Sequence, residues 1–260
     1  YKPTVNYNKR QLKKAMEAIA CAKKPLLYVG GGAVLSNCAF EIRELARKLN
    51  IPAVETLMAR GVMGDENPLF FGMLGMHGEY AANMAAHETD LLISLGARFD
   101  DRVTGRLDEF ASKAKVIHID IDPTSIAKLV VADYPIVGDL KLTVEAMIED
   151  SENYEINDFS NWVELLKDYR EKEPLRYIDT DDLIKPQWPI QRVGKILGDN
   201  AIISTDVGQH QMWTAQFFPF SHPRQWITSG GLGTMGFGLP AALGAARAFK
   251  GTNRVVVNFT

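Results

Sequence analysis

Cysteine is scarce in this sequence: Cys21 and Cys38 are the only two in 260 residues. That excludes a disulfide scaffold, and without paired histidines nearby it excludes a zinc cluster; a reducing compartment, the cytoplasm, is expected. No apolar run reaches the roughly 18 residues that a membrane-crossing helix needs. The opening Tyr1-Lys2-Pro3-Thr4 has neither an initiator Met nor the apolar core of a signal peptide, so the chain is expected to start inside a longer protein. Charge of one sign is lacking too. Lys and Arg total 29 against 32 Asp and Glu, and they are interspersed, which argues against a nucleic-acid surface. There is no internal repeat and no low-complexity tract.

What is present is alternation. Leu12, Met16 and Ile19 share a helical face, and Pro25 opens the apolar run Leu26 to Val29, which ends in Gly30-Gly31-Gly32. Helical patterns at Ala39–Leu49 and Glu79–Ala86 then alternate with strand patterns at Pro52–Thr56, Leu91–Leu95 and Val116–Ile121. Strands without polar alternation are buried on both faces. The pattern predicts an α/β fold with a doubly wound parallel sheet, Rossmann-like, whose ligand site lies at the carboxyl ends of the strands. A helix at Leu140–Ile148 closes this unit, which is expected to span 1–150. The polar stretch 151–184, with one amphipathic segment around Trp162, Leu165, Leu166 and Tyr169, reads as an interdomain connector.

A second α/β unit is expected over 185–260: a helix at Ile190–Leu197, a strand at Ala201–Thr205, a helix from His210, a strand at Trp226–Thr228 and a helix at Leu239–Phe249. The run Val255-Val256-Val257-Asn258-Phe259-Thr260 looks like a buried strand that lacks its continuation, so this unit is expected to be the first part of a longer domain.

The strand ends are where amides and helix starts can hold phosphate. Gly30-Gly31-Gly32 reads equally as a tight turn or a nucleotide site. Thr56-Leu57-Met58 and the glycine-broken loop from Phe71 to Gly78 supply soft side chains suited to a flat ring, although methionine is also ordinary core filling. Gly96 to Gly105 carries Arg98, Asp100, Asp101 and Arg102, which is either an anion-binding fork or a surface ion-pair cluster. Asp120 and Ile121, then Gly138 and Asp139, fall at further strand ends. In the second unit, Asp206-Val207-Gly208-Gln209-His210 joins strand to helix, so free amides at the helix start could face a diphosphate or simply be capped. Gly230 to Pro240 holds five glycines in nine residues, a cost in chain entropy that close backbone approach to a ligand would explain.

With these motifs in this order, the sequence resembles the acetolactate synthases, within the wider family of thiamine diphosphate-dependent 2-keto acid decarboxylases and carboligases. The resemblance rests on Gly30-Gly31-Gly32, Leu74-Gly75-Met76-His77-Gly78, Gly96 to Gly105, Val207 to Trp213 and Gly230 to Pro240, and it covers essentially the whole chain. It implies FAD along the first unit, contacting Gly30, Gly31, Gly32, Thr56, Leu57, Met58, Leu74, Gly75, Met76, His77, Gly96, Ala97, Arg98, Asp100, Arg102, Val103, Asp120, Ile121, Gly138 and Asp139. The flavin would have no net redox role. It also implies thiamine diphosphate in the second unit, with Val207, Gly208, Gln209 and His210 at the diphosphate, Gly233 at the aminopyrimidine and Met235 supporting the bent cofactor.

The implied reaction condenses two pyruvates, or pyruvate and 2-ketobutyrate, to a 2-acetohydroxy acid with loss of carbon dioxide, in branched-chain amino-acid biosynthesis. Implied partners are 2-keto acids, further copies in a homodimer or homotetramer, and a small regulatory subunit. No catalytic or metal residue is assigned here. The activating glutamate is expected before Tyr1 and the Gly-Asp-Gly that begins the Mg2+ site after Thr260, so the chain alone is expected not to turn over. The alternatives are a glyoxylate carboligase or pyruvate oxidase type of enzyme, which the Asp100 to Gly105 stretch disfavours, and a non-catalytic nucleotide-binding module.

Overall fold

In the computed structural model, which describes residues 3–180 and 182–260, the first unit runs α1 (Lys9–Cys21), β1 (Pro25–Val29), α2 (Gly31–Leu35), α3 (Ala39–Leu49), β2 (Ala53–Glu55), β3 (Phe70–Met73), α4 (Tyr80–Glu88), β4 (Leu91–Leu95), α5 (Asp101–Thr104), β5 (Lys115–Asp120), β6 (Tyr134–Val137) and α6 (Leu140–Asp150). All neighbouring strands pair in parallel, in the order β3-β2-β1-β4-β5-β6. Every residue of β1 and β4 is buried, as expected for central strands covered by helices on both faces. The chain reverses its direction of travel between β1 and β4, and such a switch point opens a crevice at the carboxyl edge.

Two strands were not expected. Pro135 lies inside β6, where its missing N–H is tolerated only because β6 is an edge strand with one paired side. Phe70 to Met73, expected from Phe71 onward to be a glycine-broken loop, forms the opposite edge; its register with β2 is irregular, and Gly72 at φ +100° marks the distortion.

The expected connector is corrected most. Residues Ser160–Lys172 form a helix, α7, whose Trp162, Val163 and Leu166 are buried in the first core. Trp162 donates its indole N–H to Pro25 O at 2.9 Å, so this stretch belongs physically to the first unit. Its exposed charged face lowers the mean hydropathy and hides a buried stripe.

The second unit contains α8 (Gln187–Leu197), β7 (Ala201–Thr205), α9 (Gln209–Phe217), β8 (Trp226–Ile227), α10 (Gly238–Ala248) and β9 (Val255–Phe259). Its sheet is parallel, in the order β8-β7-β9. A separate core of Ile190, Ala201, Ile203, Phe217, Phe218, Phe220 and Trp226 supports it, and Met73 of the first unit joins that core.

Candidate functional site

Because the first sheet is all parallel, each of its six strands delivers its expected residues to one edge. Leu74 to His77 follow β3, Thr56 to Met58 follow β2, Gly30 to Gly32 follow β1, Gly96 to Arg98 follow β4, Asp120 and Ile121 close β5, and Gly138 and Asp139 follow β6. At the switch point the tips of β1 and β4 touch. A Cβ on Gly30 would stand 2.3 Å from Gly96 O, and one on Gly32 would stand 2.8 Å from Gly96 Cα. The remaining loops interlock: Met76 N–H donates to Arg102 O at 2.9 Å, and a Cβ on Gly75 would meet Arg102 O and Val103 Cα. Met58, Met76 and Ile121 expose apolar surface along this edge, while Leu74 and Ala97 are buried and Leu57 and Val103 half-buried.

One expectation is corrected here. The amides of Gly30, Gly32, Gly96, Gly138 and Asp139 are not free for a phosphate: they donate to Leu95 O, Gly96 O, Ile119 O, Asp120 O and Val5 O. Asp139 also caps α6 through Leu142 N–H and accepts from Ser36 Oγ, and Gly138 packs against the Tyr7 backbone. Glycine is needed at these tips for close approach of main chain to main chain. The amides of Gly31, Ala97 and Arg98 have no acceptor among the described residues and are the ones that could face a ligand.

The turn carrying Arg98 is held rigidly. His118, buried within β5, is pushed below the usual imidazole range by burial, against hydrogen bonding to Ala97. Its neutral ring accepts from Ala127 N–H at Nδ1 and donates from Nε2 to Ala97 O at 3.0 Å. Ser94 Oγ donates to the same carbonyl. Phe99, at φ +56°, reverses the chain inside an aromatic cage of Tyr28, Phe110 and His118. That strained residue brings Arg98 Nη2 within 3.3 Å of Asp100, which also caps α5 by accepting from Arg102 N–H.

In the second unit, Gly208 at φ 158° precedes α9. The first helical bonds run from Gln211 and Met212 back to Gly208 O, which leaves the Gln209 and His210 amides aimed outward at the positive end of the helix. Asp206 accepts from Val207 N–H and Gly236 N–H; those amides, the Val207 one first, hold its carboxyl below the usual range. Gly233 sits at φ +65°, and Met235 stands exposed. The glycine-rich loop reaches the first site: a Cβ on Gly230 would overlap Met58 Sδ at 2.2 Å, and Arg98 Nη2 lies 4.0 Å from that of Gly231.

Two buried side-chain atoms at these sites have no partner, Thr56 Oγ1 at the first and His210 Nε2 at the second. Buried polar atoms are rarely left unpaired, so a ligand's polar groups fit both places. Sequence reasoning did not single out Glu55, Arg60 and Asp65, which form an ion cluster beside the first site, the first two buried and Asp65 half-buried. Burial pushes the Glu55 carboxyl up to about 7, opposed by Arg60 and by the Met63 and Gly61 amides. A carboxylate inside an otherwise apolar strand was the available signal.

Residues 12–147 match the family described as thiamine pyrophosphate enzyme, central domain, and residues 206–260 match the thiamine pyrophosphate enzyme C-terminal TPP binding domain. The chain is 44% identical over 252 residues to acetolactate synthase isozyme 3 large subunit of Escherichia coli (strain K12), covering 95% of this chain and 44% of that protein. It is 48% identical over 256 residues to acetolactate synthase of Mycobacterium bovis, covering 97% and 41%. With the acetolactate synthase large subunit of Haemophilus influenzae the figures are 45% over 251 residues, covering 95% and 44%. The chain thus spans less than half the length of these relatives.

Proposed function

This chain belongs to the thiamine pyrophosphate enzyme family, and on that premise we propose that it forms part of an acetolactate synthase catalytic subunit, binding FAD on its first unit and thiamine diphosphate on its second. A single observation carries this reading: the two glycine-lined edges meet, with Met58 against Gly230, and each keeps one buried polar atom, Thr56 Oγ1 and His210 Nε2, unpaired. Bound thiamine diphosphate supplies an electron sink for removing carbon dioxide from pyruvate and joining the remaining two-carbon unit to a second 2-keto acid.

The chain's own residues bind and orient. The Gln209 and His210 amides would hold the diphosphate at the positive end of α9, and the Gly233 main chain and the exposed Met235 side chain would meet the rest of the cofactor. Along the first edge, the Gly31, Ala97 and Arg98 amides and the Arg98 guanidinium would hold the FAD diphosphate, while Met58 and Met76 would cover apolar parts of the flavin. FAD has no net redox role in this reading. Mg2+ accompanies the thiamine diphosphate; no group of three or more His, Cys, Asp or Glu placed to hold a metal ion exists among the described residues, and no step is assigned to it. No helix among the described residues is long and apolar enough to cross a membrane. A homodimer or homotetramer and a small regulatory subunit complete the assembly.

The test is acetolactate formation from pyruvate by the complete gene product, with and without FAD and thiamine diphosphate. Activity that requires neither cofactor sinks the proposal. So does a flavin absorbance that Arg98→Ala leaves unchanged in stoichiometry and affinity.

A further inference from the structure

The Glu55–Arg60–Asp65 cluster faces the second unit as well as the first. Arg60 is nearly inaccessible to solvent, and its guanidinium is shared among three acceptors: Nη1 lies 3.2 Å from Glu55, Nη2 donates to both Asp65 oxygens at 2.7 and 2.9 Å, and Nε donates to Ala215 O at 2.9 Å. Ala215 lies in the last turn of α9, so a fixed cation caps the carbonyl end of that helix, the end that favours positive charge. Asp65 binds the segment that follows, accepting from Phe220 N–H at 3.1 Å while its own N–H donates to Phe220 O at 2.9 Å. The Phe220 ring lies 5.3 Å from the guanidinium carbon. Arg43 adds a donor to Ser221 O. The contacts to Ala215, Phe220 and Ser221 converge on the exit of α9, across 155 to 178 positions of sequence.

We propose that Arg60, oriented by Glu55 and Asp65, is a positioning residue that sets α9 against the first unit and thereby aims the Gln209 and His210 amides. The inference rests on the thiamine reading for what those amides hold. A nine-residue helix is a rigid rod of about 13 Å, so fixing its last turn fixes where its first turn points. Lysine cannot replace arginine here. A point ammonium matches the charge of the carboxylates but cannot serve two carboxylates and a carbonyl in one plane.

The experiment is amide hydrogen exchange across the whole chain in wild type, Arg60→Lys and Asp65→Asn. Exchange in 209–217 is expected to rise about 10-fold or more in both variants, the loss of one charge-assisted hydrogen bond, while β1 and β4 keep their protection. Unchanged protection of 209–217 in Arg60→Lys overturns the inference. Equal losses in β1 and β4 also overturn it, because the cluster would then serve only general stability. Adding thiamine diphosphate with Mg2+ to the complete gene product tests the other reading separately: slowed exchange at 208–211 supports it and no slowing removes it, whereas the Arg60→Lys comparison needs no ligand.

Discussion

Gly30→Ala is expected to destabilise the first unit by about 2–5 kcal/mol and to abolish the proposed FAD binding. Gly30 sits at φ −108°, a backbone conformation alanine adopts freely, so the cost is steric alone. The added methyl carbon would lie 2.3 Å from Gly96 O, 2.5 Å from Ala97 Cα and 2.6 Å from Ala97 Cβ, where contact normally begins near 3.5 Å. None of these atoms lies at the free end of a flexible side chain, so the turn after β4 must move by about 1 Å. That turn is tied by Gly30 N–H to Leu95 O, Gly32 N–H to Gly96 O, Gly96 N–H to Ile119 O, and the His118 and Ser94 donors to Ala97 O. Overpacking costs roughly 1–3 kcal/mol, and one or two strained hydrogen bonds cost about 1 kcal/mol each. The assay is urea denaturation with linear extrapolation, alongside titration of FAD by fluorescence quenching. Gly244→Ala is the control: nothing lies within 4 Å of its Cβ, and within α10 it should gain about 0.8–1 kcal/mol. A Gly30→Ala loss below about 0.5 kcal/mol, the scale of a neutral surface change, with flavin binding intact would refute the argument.

Glu55→Gln should alter the pH dependence of stability. Its folded carboxyl titrates near 7 against an ordinary 4.5, so the folded state holds the proton more tightly. Glu55 therefore contributes stability that is fully present below its unfolded pKa and is lost as pH rises through the folded value near 7. Melting temperature measured between pH 4.5 and 7.5 should fall less steeply in the variant than in wild type, and parallel curves would contradict this. Trp162→Ala should cost the first unit about 3–5 kcal/mol by opening a cavity and orphaning Pro25 O; a loss under 1 kcal/mol would return α7 to the status of a linker. Gly238→Ala would place a methyl 2.5 Å from Asp206 N and 2.7 Å from Thr205 C. In the complete gene product with Mg2+ it should weaken the proposed thiamine diphosphate binding in calorimetry while leaving the proposed flavin binding untouched, and equal loss of both ligands would count against separate sites.

The legible elements were those whose own residues carry the signal. Leu26 to Val29 and Leu91 to Leu95 are uniformly apolar and became the two central strands. The edges were harder to read, because an edge strand need satisfy only one neighbour: Pro135 is allowed in β6, and Gly72 distorts β3. Trp162 and Leu166 gave a helical stripe, but its destination in the first core depends on Pro25, 137 residues away. Of the candidate site, the positions were legible and the atoms were not. Gly30, Gly96 and Gly138 do stand on one edge, yet their amides already have acceptors.

Local period determined that strands alternate with helices, hence a parallel sheet with its glycine-marked turns along one edge. Only tertiary structure decided which strands are neighbours, which amides stay free, and that Arg60 would balance Glu55 and Asp65 while holding Ala215. The physical reason is range. Backbone preference and burial pattern act within a few residues along the chain, whereas the partner of a buried charge or amide is chosen in space, after the sheets and helices have been brought together.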